Sequence, residues 1–239
     1  MQFAVEPLSE DTLLLRFGER IDIALNAQVH AAARRLRTAP VHGVLDIAPA
    51  YASILLRFDP EAWDDASDNP PHARVEQALR AALEHAQSPA AGVDDAGCAI
   101  VDIPVCYGGA HGPDLKALAA HAGMRPDEVA ARHAADVYTV AMLGFAPGFP
   151  YLLGLDPALH MPRRATPRTR VPAGSVAIGG AQTGIYPREL PGGWNLIGRT
   201  PLALFQQRRD PPCLLGPADR VRFRAISAEE FSVLAEHRS

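Results

Sequence analysis

The stretch VPAGSVAIGGAQTGIYPRELPGGWNLIGRTP, Val171 to Pro201, lies in the part of the chain whose glycine and proline content sets the fold. Positions 144 to 201 hold 19 of the chain's 41 glycines and prolines, where an even spread would place roughly ten. Turns therefore recur every few residues, and short strands joined by tight turns build a barrel or a sandwich. Within the stretch, Gln182, Tyr186, Arg188, Asn195, Arg199 and Thr200 supply amides, a phenol, a hydroxyl and guanidinium groups, with no strong base among them. That inventory suits recognition and electrostatic stabilisation of an amide, a carboxylate or an acyl phosphate better than proton abstraction. The glycine pairs at 179–180 and 192–193 either admit close approach of a ligand or take positive φ in turns. Ser175 lacks the glycine pattern of a nucleophile elbow and reads as a turn or strand-edge serine.

Just upstream, MLGFAPGFPYL (Met142 to Leu152) alternates two Gly-Phe units with two prolines. So stiff a segment, presenting Phe145, Phe149 and Tyr151, is either an aromatic plug in a barrel core or the wall of a ligand site. Between the two stretches, Arg163, Arg164, Arg168 and Arg170 stand among Pro162, Pro167 and Pro172. Guanidinium forks on an extended chain suit carboxylate or phosphate recognition, or form a solvated basic loop. His111, His121 and His133 show no metal-ligand spacing, and Cys98, Cys106 and Cys213 form no C-x-x-C pair, so no metal site is expected. His133 is a candidate acid or base, set against the reading of a histidine stabilised near a helix C-terminus.

Working outward, Thr12 to Phe17 and Tyr51 to Phe58 read as strands. Asp22 is placed to cap a helix running to about Arg37, with Ile23, Ala27, Ala31 and Leu36 turned inward. A second helix, about Ala73 to Ala86, turns Val75, Leu79 and Leu83 inward. Residues 1–88 thus form a small α+β domain, strand, strand, helix, strand, strand, helix, with both helices on one face of an antiparallel sheet. Residues 89–97 are a linker, and 98–239 form a second, mainly β domain. There, Ala99 to Val105 is a strand, two short helices lie between Pro113 and Ala134, and closing strands run from Pro201 to Phe205 and from Arg220 to Ile226. The helix pair is not a DNA reader, because Asp127 and Glu128 occupy the start of its second helix, where base contacts are made.

Composition narrows the function classes further. With 23 basic and 27 acidic residues in 239, the formal charge is −4, and no global positive field draws nucleic acid or anionic lipid. The lysine at 116 has no phosphate-loop glycines before it. No apolar run reaches membrane-spanning length, and the N-terminal segment lacks the pattern of a secretory signal. A cytoplasmic protein, with neither nucleic acid nor membrane as partner, is expected.

Taken in order, Tyr107-Gly108-Gly109 with Gly112-Pro113-Asp114-Leu115, GFAPGFPYL from Gly144, the Val171 stretch, and Asp219-Arg220-Val221-Arg222-Phe223 resemble the allophanate hydrolase subunit 1 family. The resemblance implies an α+β N-terminal domain followed by a cyclophilin-like β-barrel of carboxyltransferase type. It implies partners: a C-type subunit similar to allophanate hydrolase subunit 2, and an A-type, LamB/YcsF-like subunit. The implied activity is that of a 5-oxoprolinase subunit, inactive alone, in the ATP-dependent hydrolysis of 5-oxo-L-proline to L-glutamate. Magnesium-bound ATP would then be used in the complex, on a subunit the resemblance does not specify. Other family members imply two alternatives, an inhibitor that binds a sensor histidine kinase and a subunit of urea carboxylase or allophanate hydrolase type. Arg199 and Gln182, mapped onto the motifs, are expected catalytic residues, and His133 joins them from its own reading as a candidate acid or base. Arg168, Arg170, Tyr186, Arg188 and Asn195 are expected to meet a ligand or partner, and Tyr107, Phe145, Phe149, Tyr151 and Trp194 to shape the pocket. One departure stands out: Pro217-Ala218-Asp219 carries alanine where the family pattern has glycine. This puts the local turn in doubt, because alanine resists positive φ.

Overall fold

The computed structural model describes residues 2–63, 69–84 and 100–236. The chain divides into two compact units, Met1–Gly97 and Cys98–Ser239, and the linker expected at 89–97 lies outside the described residues.

In the first unit the order is β1 (Ala4–Ser9), β2 (Thr12–Arg16), α1 (Ile23–Thr38), β3 (Val44–Pro49), β4 (Ser53–Phe58) and α2 (Pro71–Glu84). The strands form one antiparallel sheet in the order β1-β2-β4-β3. Period-two alternation puts Leu13, Leu15, Ile54, Leu56 and Phe58 on one face, where they form a single core with Val29 and Leu36 of α1 and Val75, Leu79 and Leu83 of α2. The three α2 positions are those its spacing selects. Asp22 caps α1 as expected, its carboxylate accepting from the Leu25 N–H at 2.9 Å.

The inward face of α1 differs from the expected one. Asn26, Val29, His30, Ala32, Ala33 and Leu36 are buried, while Ile23 is 59% exposed and Ala27 and Ala31 face solvent. Alanines at 27 and 31 bury little area, so the stripe carrying Val29 and Leu36 wins. Asn26 fixes the rotation by donating to the Ala50 and Tyr51 carbonyls at 3.1 Å each.

The second unit runs β5 (Ile100–Tyr107), α3 (Leu115–Ala122), α4 (Pro126–Ala135), β6 (Val137–Leu143), β7 (Pro150–Leu153), β8 (Arg168–Val171), β9 (Ser175–Gly179), β10 (Gln182–Ile185), β11 (Leu190–Gly192), β12 (Asn195–Arg199), β13 (Arg220–Ala225) and α5 (Ala228–Glu236). Seven strands close into a barrel in the order β10-β7-β6-β13-β5-β12-β9, and β8 and β11 pair separately. Closure leaves no open edge in that sheet. Ile103, Tyr138, Val140, Leu152, Val176, Ile178, Ile185, Ile197, Val221 and Phe223 belong to one buried core, joined by Leu118 of α3 and Val129 of α4.

β13 closes the barrel, parallel to β5 and antiparallel to β6. Its basic face is partly neutralised, Arg222 pairing with Asp102 and Arg224 with Glu230, each at 2.7 Å. The strand expected from Pro201 to Phe205 does not form. Thr200 Oγ1 accepts from Leu202 N at 3.1 Å and turns the chain, leaving only a single bridge between Phe205 and Cys213. Asp127 and Glu128 lie in the first turn of α4, as the packing reading of that helix pair requires. No helix among the described residues is long and apolar enough to cross a membrane.

Candidate functional site

The site is built on the outer wall of the barrel. Along β9 and β10 alternate residues face in and out. Val176, Ile178 and Ile185 enter the barrel core, whereas Ala177 belongs to a separate cluster with Ala146, Phe149, Val171, Tyr186, Trp194 and Leu196. Glycines let the rings lie flat on this wall. A Cβ at Gly179 would stand 2.7 Å from the Trp194 indole, one at Gly184 3.1 Å from the Phe149 ring, and one at Gly192 2.1 Å from the Tyr186 hydroxyl. One member of each glycine pair, Gly179 and Gly192, thus makes room for an aromatic side chain of the protein, and Gly180 supplies the positive φ, +67°.

The segment from Gly144 to Phe149 is a pair of fused turns. Pro147-Gly148 forms a turn closed by Phe149 N–H to Ala146 C=O at 3.0 Å, with Gly148 at φ +79° as a type II turn demands. Just before it, Ala146 N–H reaches Gly144 C=O at 2.7 Å across Phe145, a γ-turn of the strained kind, with Phe145 at φ +67°. Phe145 is therefore held out, 61% exposed, edge-on to Phe149 and Tyr186. Together with Tyr151, Trp194, Arg163, Arg164, Pro167, Pro191 and the backbone at 192–193, these rings enclose a pocket of about 320 Å³. The segment is a pocket wall, one of the two readings its sequence allowed. Burial pushes the Tyr186 phenol up, opposed by a hydrogen bond from the Trp194 backbone, and pushes Tyr151 up against the nearby charge of Arg163.

The arginine loop is set by Asp114. Arg168 forks onto its carboxylate through two bonds of 2.8 Å, Arg164 adds one of 3.1 Å, and the Leu196 N–H adds one of 2.8 Å. Burial works to raise the pKa of Asp114, but the bonds from Arg168 and Leu196 and the two guanidinium charges outweigh it and hold the carboxyl below its usual range. Asn195 donates to the Pro162 carbonyl at 2.9 Å, and Arg164 N–H donates to Gly193 C=O at 2.7 Å, which ties the loop to the barrel wall. Arg163 lies over the Trp194 ring at 5.7 Å.

Of the expected pocket residues, Phe145, Phe149, Tyr151, Tyr186 and Trp194 come together, with Arg168 and Asn195 one layer behind them. The others lie elsewhere. Tyr107 and His133 are joined inside the barrel: Tyr107 Oη is 2.7 Å from His133 Nδ1, His133 Nε2 is 2.9 Å from Thr183 Oγ1, and Thr183 donates to Ala177 C=O at 3.1 Å. Because Thr183 spends its proton on that carbonyl, His133 donates through Nε2 and accepts from Tyr107 at Nδ1. Complete burial lowers its pKa to about 3, so the ring is neutral. Arg199 is tied to the Ala173 carbonyl at 2.7 Å, beside Phe231. Arg170 is 82% exposed opposite Glu189, Arg188 is exposed, and Gln182 is buried at the start of β10 away from the pocket lining.

Sequence reasoning did not single out Asp114 as a site residue, and it left Arg163 and Arg164 undistinguished from Arg168 and Arg170. Asp114 stands at the N-cap of α3 yet makes no capping hydrogen bond with its side chain, which is turned to the arginines instead. Among the four arginines between 163 and 170, the carboxylate across the fold decides which of Arg163, Arg164 and Arg168 remains available to a ligand.

Residues 3–215 match the family described as carboxyltransferase domain, subdomain C and D. The chain is 39% identical to the B-type subunit of the 5-oxoprolinase of Bacillus subtilis over 237 residues, 99% of this chain and 98% of that protein. It is 58% identical to the B-type 5-oxoprolinase subunit of Escherichia coli O157:H7 over 123 residues, 52% of this chain and 56% of that one. The urea carboxylase of Kluyveromyces lactis shares the fold, with a TM-score of 0.70 at 20% identity, over 98% of this chain and 22% of that one. The family match over residues 3–215, with the end-to-end similarity to the Bacillus subtilis protein, shows that this chain belongs to the carboxyltransferase domain, subdomain C and D, family.

Proposed function

We propose that this chain is the B-type subunit of a 5-oxoprolinase complex, hydrolysing 5-oxo-L-proline to L-glutamate with consumption of ATP and active only with C-type and A-type partners in the cytoplasm. The end-to-end match to the Bacillus subtilis protein carries this reading. On it, residues 1–88 and 98–239 are two domains joined by a linker, the second a cyclophilin-like barrel. Hydrolysis of a lactam needs coupling because the amide is a poor electrophile. Magnesium in nucleotide sites is held by one or two carboxylates together with the phosphates, and the pocket lining of this chain, although it offers guanidinium groups, carries no carboxylate for the metal. The nucleotide is therefore assigned to a partner protein.

The test is co-expression of this chain with its C-type and A-type partners, measuring glutamate formed from 5-oxoproline with and without ATP while each component is omitted in turn. Glutamate that requires both ATP and this chain is the expected result. No glutamate from a fully assembled complex overturns the reading, and would favour binding to a sensor histidine kinase or a different amide substrate.

A further inference from the structure

We propose that the pocket on the outer wall of the barrel binds a small carboxylic acid carried on a compact, uncharged ring, so that this chain holds the cyclic amide acid. The inference rests on the function proposed above and adds where the substrate sits and which residue selects it.

Size comes first: a pocket of about 320 Å³ is at the lower end for small-molecule sites, enough for one ring and its substituent. Shape follows from the rings. Phe149 meets Tyr186 and Trp194 at 88° in each case, so their faces splay around a concave space rather than stacking shut. The neighbouring exposed ring of Phe145, on its strained turn, is apolar surface that a bound ring would cover.

Charge sets the class of ligand. Arg168 and Arg164 are committed to Asp114. Arg163 lines the pocket over Trp194, and among the described residues no carboxylate pairs with it. A guanidinium held beside an aromatic face, with its fork open, is a carboxylate receptor. The lining has no acidic group, so a ring bearing an ammonium would face the unpaired charge of Arg163 with no carboxylate in the pocket to receive it. The site thus favours a lactam acid, whose ring nitrogen is neutral, over the corresponding amino acid.

The test uses the full chain carrying Trp63→Phe, which leaves Trp194 as the fluorescent reporter. Titration with 5-oxoproline or cyclopentanecarboxylate is expected to give a saturable change, and 2-pyrrolidinone or proline to bind at least about tenfold more weakly. Arg163→Gln is expected to weaken both acids about tenfold, to leave pyrrolidinone unaffected, and to raise the KM for 5-oxoproline about tenfold in the assembled complex. A complex that makes glutamate with a KM unchanged by Arg163→Gln overturns the pocket assignment and leaves the function standing. An inactive complex, with this chain alone still binding the acids through Arg163, overturns the function and supports the pocket. A saturable Trp194 signal from magnesium-bound ATP that the acids do not displace also overturns the assignment.

Discussion

Ala218 shows what one residue's backbone can cost. Asp219 N–H reaches Gly216 C=O at 3.2 Å around Pro217-Ala218, and Ala218 sits at φ +75°, the position where a type II turn calls for glycine. The doubt raised by the sequence is resolved: the turn keeps its shape and the alanine bears the strain. It is held there by bonds between Ala218 N–H and Val140 C=O and between Val140 N–H and Asp219 C=O, of 2.8 and 2.9 Å. Ala218→Gly relieves about 1–2 kcal/mol of left-handed strain and returns part of it as unfolded-state entropy. A net gain of roughly 0.5–1 kcal/mol is expected in urea denaturation. Asp114 is the opposite case, a side chain that organises others. Asp114→Asn leaves the Arg168 and Arg164 charges uncompensated and is expected to cost about 3 kcal/mol at pH 7. Because its folded pKa is depressed, the stability it lends is complete above the ordinary carboxylate range and is lost as pH falls through it. The gap between wild type and variant should therefore narrow toward pH 3 in urea midpoints.

At the scale of elements, α4, β5 and β10 are locked together by the chain from Tyr107 through His133 to Thr183 and Ala177. This buried polar network satisfies each member, which explains a histidine with no exposed surface inside an apolar barrel. Without exposed surface, with both ring nitrogens engaged and outside the pocket lining, His133 is placed to hold α4 to β5 and β10. The consequence is measurable. Below its unfolded pKa near 6.5 the denatured chain takes up a proton that the folded ring refuses until about 3. Between about pH 6 and pH 4 this residue alone should remove about 1.4 kcal/mol of stability per pH unit. His133→Gln, less stable at pH 7, is expected to show the shallower decline over the same interval.

Over the whole molecule, each compact unit has its own apolar core and its own tryptophan, Trp63 in one and Trp194 in the other. Truncating the first core with Leu56→Ala is expected to cost about 2–5 kcal/mol, read by Trp63 fluorescence during urea unfolding. Trp194 should keep its native emission in the folded variant, and a changed Trp194 spectrum without denaturant would refute this independence.

Much of this architecture is local and was legible in the residues themselves. The Val75, Leu79 and Leu83 spacing, the Asp22 cap, the alternation in β13 and the density of turn residues after Gly144 each act within a few positions, where backbone preference and hydrophobic period dominate. What the tertiary structure alone decided depends on groups far apart in the chain. The rotation of α1 follows from carbonyls at Ala50 and Tyr51. The choice of Arg163 as the available guanidinium follows from Asp114, some fifty residues upstream, which engages Arg164 and Arg168. The neutrality of His133 follows from burial among strands it does not adjoin in sequence. In each case a charge or an amide finds its partner only after the chain has closed, so no local pattern encodes the outcome.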